Sequence, residues 1–369
     1  MTHEGLYHSP LHDPHAELGA RFTEFGGWEM PVSFAGIRKE HRAVRERAGV
    51  FDVSHMGEVE VSGPDAEALV QRLTSNDVSS LSVGSAQYSM ITDEAGVILD
   101  DTVVYRTGDA SFLFVPNAGH DSQMAERWTD HRDAWGLDAT VENVTDMYAM
   151  LAVQGPEAPG AVAAEVGDAT ALDALGRFEF EEATVAGVSC LVSRTGYTGE
   201  PGYELLVPWA DAGVLWDAFV GPCEPCGLGA RDTLRMEMGY LLSGQDFDPE
   251  SNPRNPLEAD VAFAVDLDTE FVGRDALVEV RDSGGPAERI AGFVLADRGV
   301  PRHGYPLLDG EGEPVGEVTS GTMSPTLGEP IGLGYLPVDL AEPGTRVGVA
   351  IRGEAKPAIV QTTPFIEGP

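Results

Sequence analysis

The sequence predicts an α+β fold that ends in a small β-barrel. In the first part of the chain, short runs of alternating apolar and polar residues indicate half-buried strands, and segments with apolar residues at helical spacing lie between them. From Arg289 onward the chain contains strand-like runs and turns only, which is typical of a closed or nearly closed barrel. A chain of 369 residues is long enough for two or three domains with substantial cores.

The predicted elements fall into two groups before the barrel. The first group has predicted strands at 57–63, 86–92, 97–106 and 111–116, with a helix from Asp65 and another at 118–134. This order of elements predicts an antiparallel sheet with a helical face: one strand, a helix, three strands and a helix. The second group has predicted strands at 147–153, 178–185, 188–194 and 202–207, and predicted helices at 209–220 and 229–240. The Pro/Gly-rich segment 282–288 predicts a linker, so we assign residues 1–282 to one region and 283–369 to a barrel domain.

The charge is strongly acidic. There are 61 acidic and 23 basic residues, giving a formal net charge of −38, and only Lys39 and Lys356 are lysines. Self-repulsion of this size is tolerable at about 1 M salt, where the Debye length is roughly 3 Å. We therefore predict adaptation to a salt-rich cytoplasm, with an acidic protein of ordinary salt as the alternative. Nucleic acid and anionic membranes are disfavoured partners.

The sequence does not predict a membrane-spanning helix or a secretion signal peptide. No apolar run reaches about 18 residues, and the N-terminal residues lack a basic segment followed by an apolar one. We expect a cytoplasmic protein without a membrane partner. There is also no G-x-G-x-x-G after a strand and no Walker A loop, which argues against the common nicotinamide, flavin and ATP enzymes.

Cysteine and histidine patterns do not predict a metal site. The CEPC pair, Cys223 and Cys226, has redox or half-zinc spacing, but further ligands do not stand out and the surrounding Pro/Gly residues indicate a turn. We interpret this segment as a surface loop in a reducing compartment. The N-terminal histidines are His8, His12 and His15. Their irregular spacing, without a nearby carboxylate in the pattern, predicts that they do not bind a metal ion.

Two neighbouring motifs predict a site for a polar ring. The loop RTGYTGEPGYE ends at Glu204, and GLGARDTLR places Arg231 at a predicted helix start. A carboxylate can accept two parallel hydrogen bonds and a guanidinium can donate several, so the pair suits a flat heteroaromatic ligand with amide-like edges. The alternative is a Glu204–Arg231 salt bridge without a ligand.

A third motif places two aspartates inside a predicted strand, where aspartate is disfavoured. Strand alternation puts Asp100 and Asp101 on opposite faces, so we expect one in a site and the other towards solvent or a turn. The alternative is an aspartate that only satisfies turn hydrogen bonds.

Five motifs in order resemble the aminomethyltransferase, or T-protein, family of the glycine cleavage system. They are GVFDVSHMGEVEVSGPDA (49–66), GVILDDTVVYRTG (96–108), RTGYTGEPGYE, GLGARDTLR and TSGTMSPTLG (319–328). The resemblance covers nearly the whole chain, from residue 11 to the end. It implies three domains arranged as a cloverleaf around a central folate site, with two interlaced antiparallel-sheet domains and a C-terminal β-barrel.

The resemblance also implies the reaction. An aminomethyl group on the dihydrolipoyl arm of H-protein loses ammonia, and tetrahydrofolate takes the one-carbon unit as 5,10-methylenetetrahydrofolate. Tetrahydrofolate would be the co-substrate, and the lipoyl group would come from the lipoylated H-protein partner.

Matching the motifs residue by residue assigns roles as implied by the resemblance. Asp101 is the predicted catalytic carboxylate, positioning the folate nucleophile and stabilising developing positive charge. Glu204 and Arg231 are the predicted pterin ligands. The other predicted pocket residues are Tyr88, Met56, Tyr105, Asn117 and Tyr197. His55 is interpreted as a hydrogen-bonded structural histidine, and the C-terminal PFIEGP does not match the aromatic or basic residue that the family has there.

Two other functions remain as alternatives. A folate-binding iron–sulfur assembly factor would carry a KGCYxGQE-like motif, whereas this chain has GYLLSGQDF. A stand-alone folate-dependent demethylase could share the scaffold. The ILDD and RTGYTGE motifs favour the aminomethyltransferase.

Overall fold

The computed structural model describes residues 5–367, and the elements below all lie in this range. The α-helices are α1 (His12–Glu17), α2 (Ile37–Glu46), α3 (Ala66–Leu73), α4 (Asp121–Trp135), α5 (Ala158–Ala164), α6 (Thr170–Ala174), α7 (Ala212–Phe219), α8 (Leu228–Met238) and α9 (Arg274–Asp282). The strands are β1 (Arg21–Phe25), β2 (Trp28–Ser33), β3 (Gly49–Asp52), β4 (Val59–Ser62), β5 (Ala86–Thr92), β6 (Ile98–Gly108), β7 (Ser111–Val115), β8 (Thr140–Asn143), β9 (Tyr148–Gln154), β10 (Phe180–Val185), β11 (Val188–Ser193), β12 (Gly202–Pro208), β13 (Glu224–Cys226), β14 (Glu288–Leu295), β15 (Pro306–Leu308), β16 (Pro314–Met323), β17 (Pro330–Pro337), β18 (Arg346–Ile351) and β19 (Glu354–Gln361). Each of these helices is too short or too polar to span a membrane.

Two sheets share the first region and are interlaced along the chain. A six-stranded sheet has the order β10-β11-β12-β9-β3-β13, and a five-stranded antiparallel sheet has the order β5-β6-β7-β4-β8. The chain enters the six-stranded sheet at β3, builds the whole five-stranded sheet, and then returns for β9 to β13. The expected α+β class and the interlaced arrangement are therefore confirmed.

The last six strands close into a barrel in the order β14-β17-β16-β15-β18-β19, and β14 pairs with β19 to complete it. The predicted barrel is confirmed. The barrel strands carry glycines where neighbouring strands approach each other closely. A Cβ on Gly316 would lie 2.0 Å from the Tyr335 carbonyl oxygen, so a larger residue would push β16 and β17 apart.

A buried core fills the space between the two sheets and brings the later site residues together. Side chains of β9 alternate between its faces. Leu151 and Val153 pack with helices on the outer face, whereas Met150 and Ala152 join the inter-sheet cluster that contains Tyr105. Because β9 is buried on both faces, its near-continuous apolar run reflects a central position in the sheet.

The predicted strands and helices match the structure to within a few residues, and α7 is preceded by a 3-10 turn at Trp209–Asp211. The sequence pattern did not predict the β1–β2 hairpin, α2, β3 or the three-residue β13. Such short elements depend on partners elsewhere in the chain, since β13 is held by parallel pairing with β3.

The interpretation of CEPC as a surface loop was wrong. Cys223 and Cys226 are 2 % and 1 % exposed, and Cys226 is the last residue of β13. Burial raises the pKa of both thiols, which disfavours the reactive thiolate. These cysteines therefore behave as small apolar core residues, as Cys190 does at 4 % exposure.

Candidate functional site

Asp101 lies on β6 with both carboxylate oxygens held. The Tyr88 hydroxyl, from the adjacent strand β5, donates a 2.6 Å hydrogen bond to Asp101 Oδ2. The Asn117 side-chain amide donates a 2.7 Å bond to Oδ1. Asn117 follows β7, so three neighbouring strands converge on one carboxylate. The structure thus brings together Tyr88, Asp101 and Asn117, and the carboxylate has one orientation.

One of the paired aspartates was expected to face solvent or a turn, and Asp100 faces the turn that follows β7. Asp100 is fully buried there; the Asn117 side-chain amide also donates 2.7 Å to Asp100 Oδ1, and the Asn117 backbone N–H donates to Oδ2. His120 Nδ1 lies 3.0 Å from Asp100 Oδ1, and this contact raises the pKa of His120. The two carboxylates therefore share a donor although their strand positions alternate.

Burial and the neighbouring charge of Asp100 raise the pKa of Asp101 from its ordinary 3.8 to about 6. The hydrogen bonds from Tyr88 and Asn117 act in the opposite direction, since they favour the ionised form. A carboxylate in this state can both attract developing positive charge and exchange a proton near neutral pH.

Glu204 on β12 forms a second polar group with residues of the preceding loop. Thr195 donates a 2.6 Å bond to Glu204 Oε2, and the Tyr105 hydroxyl lies 3.4 Å from Thr195 Oγ1. Burial raises the pKa of Tyr105, with Glu204 adding to the effect, so the phenol stays protonated. Glu204 keeps partial exposure and therefore has acceptor capacity left for a ligand.

Arg231, in the first turn of α8, lies over the ring of Tyr197, with 4.8 Å from the guanidinium carbon to the ring centroid. Its Nη1 is buried without a hydrogen-bond partner among the described residues. Burial lowers the pKa of Arg231, while Glu204 acts in the opposite direction as a nearby carboxylate. Arg231 and Glu204, both within the described residues 5–367, are not within the 4.0 Å that defines an ion pair. The alternative of a Glu204–Arg231 salt bridge without a ligand is therefore not found. The guanidinium is left with a buried donor that an acceptor of a ligand would satisfy.

The loop between β11 and β12 is pinned at several points. The Gln154 amide donates 3.2 Å bonds to the carbonyls of Thr195 and Tyr203, and Thr198 donates 2.8 Å to Gln154 Oε1. Gly199 has φ +81, and a Cβ there would lie 2.3 Å from Met238 Sδ. The left-handed backbone conformation favours glycine at this position, and a larger residue would also displace the Met238 side chain.

Tyr197 and Met56 complete the group of predicted pocket residues. The Tyr197 hydroxyl donates to the Leu241 carbonyl, and its ring stacks on Tyr240 at 5.6 Å between centroids. Met56 packs against the inter-sheet core that contains Tyr105. His55 is buried, and its Nδ1 has no hydrogen-bond partner among residues 5–367, so the predicted hydrogen bond is not found at this nitrogen. Burial lowers the pKa of His55 to about 3, so the ring stays neutral.

A buried ion pair, Arg235–Asp246, links helix α8 to the barrel. Arg235, one turn after Arg231, donates 2.8 Å to Asp246 Oδ2, and the hydroxyls of Thr319 and Ser320 on β16 donate to Asp246 Oδ1 at 2.5 and 2.7 Å. Helix α8 and the barrel therefore share a hydrogen-bond network that includes Asp246, Thr319 and Ser320.

Several neighbours of the site were not predicted. Thr195, His120 and Ser243 bond to Glu204 or Asp100, and Phe263 stacks on Tyr88 with 6.0 Å between centroids while remaining 76 % exposed. Thr195 belongs to the RTGYTGEPGYE motif, so its place in the site could have been predicted from the sequence. The other three residues come from distant segments of the chain. At the C-terminus, Phe365 packs against the same apolar cluster as Tyr88.

The N-terminal histidines separate into two environments. His15 is buried and lies 2.8 Å from Asp52 Oδ2. His8 and His12 stack at 3.8 Å between centroids, and both Nε2 atoms approach Glu29 Oε2, at 3.2 and 2.8 Å. The expectation that the histidines lack a framing carboxylate was wrong, because Glu29 reaches them from β2 through the fold.

Comparisons with known proteins agree with this architecture. A family model described as the GCVT N-terminal domain matches residues 11–269, and one described as the glycine cleavage T-protein C-terminal barrel domain matches residues 288–367. The chain is 61 % identical to a protein named probable aminomethyltransferase from Halobacterium salinarum, over 98 % of this chain and 99 % of the relative. It is 44 % identical to a protein named aminomethyltransferase from Symbiobacterium thermophilum, over 99 % of both chains. The similarity to haloarchaeal proteins fits the acidic, lysine-poor composition.

A solved structure has the same fold. It is described as glycine cleavage system aminomethyltransferase T from Bartonella henselae, with a TM-score of 0.91 and 32 % identity over 98 % of this chain and 99 % of that one.

Proposed function

Because the chain belongs to the glycine cleavage T-protein family, we propose that it transfers a one-carbon unit from the aminomethylated lipoyl arm of H-protein to tetrahydrofolate. In this reaction the sulfur–carbon and carbon–nitrogen bonds of the S–CH2–NH2 group break. Two new bonds join the carbon to N5 and N10 of the folate. The two N–H protons of the folate pass to the thiol and to ammonia, so atoms and charge balance without an oxidant or reductant.

The observation that carries the proposal is that Tyr197 lies close to the charges of both the fixed Asp101 carboxylate and the incompletely bonded Arg231. Tyr88 and Asn117 hold Asp101 at 2.6 and 2.7 Å, so the carboxylate does not need to reorganise when positive charge develops beside it. The buried Nη1 of Arg231 and the partly exposed Glu204 offer a donor and an acceptor of the kind a pterin edge needs.

The roles we propose follow from these contacts. Glu204 accepts from the ring N–H and exocyclic amino group of tetrahydrofolate, and Arg231 donates to an acceptor of the same molecule. Tyr88, Tyr105, Tyr197 and Met56 offer apolar faces to its rings. Asp101 positions the N5 nucleophile and stabilises the cationic carbon that forms as ammonia leaves. A protein nucleophile is unnecessary, since sulfur comes from the lipoyl arm.

We propose that lipoylated H-protein docks beside the exposed face of α2. Five of the chain's 23 basic residues fall in residues 38–47, and Arg38, Lys39, Arg42 and Arg47 are exposed. Arg45 on the same helix donates 2.6 Å to the Thr198 carbonyl, so this helix contacts the loop that carries Tyr197. A basic face on a strongly acidic protein suits an acidic partner.

Turnover in about 2 M salt, where surface charges are screened, tests the function. Wild type and Asp101→Asn receive tetrahydrofolate and aminomethylated H-protein, and methylenetetrahydrofolate is measured. We expect turnover in wild type and a loss on the order of a hundredfold or more in the variant. Tight folate binding without turnover in wild type would instead favour a demethylase or a non-catalytic folate-binding protein.

A further inference from the structure

We propose that His8, His12 and Glu29 form a binding site for a divalent transition-metal ion, Zn²⁺ foremost. The cluster lies in the N-terminal segment and shares no residue with the polar groups around Asp101 and Glu204, and the proposed folate chemistry does not use it. The inference does not depend on the proposed function.

The ligand atoms already converge. One atom from each of the three side chains lies within 4.8 Å of the others. His8 Nε2 and His12 Nε2 are 3.2 and 2.8 Å from the same oxygen, Glu29 Oε2. With metal–ligand distances of about 2.0–2.2 Å, two ligands of a tetrahedral zinc ion lie roughly 3.3 Å apart. The two distances from the histidine nitrogens to Glu29 Oε2 therefore need to widen only slightly to admit the ion.

The backbone holds the three ligands in place. The Tyr7 N–H donates 2.9 Å to the Gly27 carbonyl, and the Glu29 N–H donates 2.8 Å to the Tyr7 carbonyl, so His8 directly follows a residue tied to the β1–β2 hairpin. His12 is the first residue of α1, and its N–H donates to the Ser9 carbonyl at 3.2 Å. Metal binding would require side-chain rotation rather than refolding.

The rings must turn away from one another to bind one ion. They now stack nearly in parallel, with 8° between planes and 3.8 Å between centroids. A metal lies in the plane of each imidazole that binds it, so rotation about each Cβ–Cγ bond must splay the two rings. The His12 ring also stacks on Phe22, with 4.6 Å between centroids, so this contact must adjust when the His12 ring turns. The three side chains are 23 %, 20 % and 17 % exposed, so an ion and completing water ligands have access.

The donor set selects the class of ion. Two imidazoles and one carboxylate suit borderline transition metals, whereas Mg²⁺ and Ca²⁺ prefer oxygen ligands. Asp13 Oδ1 lies 3.6 Å from His12 Nδ1, so a small movement of this exposed side chain would let it accept from that nitrogen when Nε2 binds metal. The bound ion would fasten α1 and the segment before it to β2.

Metal titration tests the inference on the full-length protein. Protein stripped with chelator is titrated with Zn²⁺ by calorimetry in about 2 M KCl, where screening weakens non-specific binding to the acidic surface. Excess Mg²⁺ occupies the remaining carboxylate sites. Co²⁺ is added separately, because its visible spectrum reports the coordination number and nitrogen ligation. We expect one tight Zn²⁺ site per chain and a higher unfolding temperature for the loaded protein.

Variants distinguish this site from other surface groups. His8→Ala, His12→Ala and Glu29→Gln should each lower Zn²⁺ affinity at least tenfold, since loss of even an outer-shell partner commonly costs that much. His131→Ala, a partly exposed histidine on α4, serves as the matched control. Circular dichroism confirms that each variant is folded, and His12→Gln replaces His12→Ala if the latter is not. Unchanged stoichiometry and affinity in the three variants, or the absence of a tight site in wild type, would overturn the inference.

Discussion

The Tyr88 hydroxyl donates a 2.6 Å hydrogen bond to Oδ2 of Asp101 across neighbouring antiparallel strands. Tyr88 pairs with Val103 in the strand register, so this contact reaches diagonally to the residue two positions before its partner. A diagonal pair lies within reach of a tyrosine side chain but not of a short polar one. The contact therefore depends on both strand register and side-chain length.

Tyr88→Phe should move the acidic limb of the pH–rate profile to higher pH. The bond from Tyr88 stabilises the ionised carboxylate and lowers the pKa of Asp101, so its removal raises a pKa that burial has already raised. We expect turnover to fall about tenfold at pH 7, in line with the loss of a hydrogen bond of about 1.5 kcal/mol to a charged group. A profile with unchanged shape would show that Tyr88 serves packing only.

Asp100→Asn should shift the same limb in the opposite direction. The Asp100 charge raises the pKa of Asp101, so neutralising it brings that pKa down towards 3.8 and extends activity to lower pH. The measurement is turnover between pH 4 and pH 8, with folate binding as the check that the site is intact. An acidic limb that stays in place would mean that burial alone accounts for the raised pKa.

Arg231→Lys should weaken tetrahydrofolate binding while the charge is kept. Lysine cannot reproduce the planar fork of donors or the contact over Tyr197 at 4.8 Å. We expect the dissociation constant to rise on the order of tenfold, corresponding to about 1.4 kcal/mol. Fluorescence titration with folate measures it, and Arg281→Lys on the exposed end of α9 is the control. Equal affinity for folate in Arg231→Lys would remove Arg231 from the proposed ligand set.

His15→Ala should destabilise the fold because it leaves the buried Asp52 carboxylate without its ion-pair partner. Both side chains are 0 % exposed and 2.8 Å apart. Removing one partner of a buried pair costs about 3–5 kcal/mol, which denaturant unfolding can measure. A loss below about 1 kcal/mol would indicate that water or Ser9 replaces the histidine.

The same pair makes a pH prediction. Burial favours the protonated acid, but the hydrogen bond and charge of His15, with Ser54 and Ser9, outweigh it and lower the pKa of Asp52 to about 2. A carboxyl with a lowered folded-state pKa adds stability above its unfolded pKa, near 4, and loses it as pH falls towards 2. The unfolding free energy of wild type should therefore fall over this window more steeply than that of Asp52→Asn. Parallel curves would contradict the assignment.

Arg38→Glu combined with Arg42→Glu should weaken H-protein docking. These exposed side chains belong to the basic face of α2, so reversal places like charges against an acidic partner. We expect affinity to fall on the order of tenfold at about 0.5 M salt and the difference to shrink at about 3 M. Arg346→Glu, at the exposed first residue of β18 in the barrel, is the control. Equal affinities for the partner at every salt concentration would place docking elsewhere.

Local pattern was sufficient where an element is long and strongly periodic. The prediction for β5, 86–92, agrees with the structure at both ends, and those for β6, β9 and α8 agree to within two residues. These elements carry Tyr88, Asp101 and Arg231, so most predicted site residues were also placed on the correct kind of element. Short segments such as β13 and the β1–β2 hairpin lack such periodicity and form through pairing.

The sequence by itself determined the acidic surface and the α+β class with its barrel, and through resemblance it indicated the family and predicted a set of site residues. The tertiary structure decided which of these residues share partners. Asp100 is buried beside Asp101 because Asn117 reaches both, Arg231 is left with an unpartnered donor, and Glu29 lies between two histidines 17 and 21 positions earlier. These contacts join distant parts of the chain through strand register and helix packing. Side-chain periodicity reports only which face of an element is buried, so it does not contain that information.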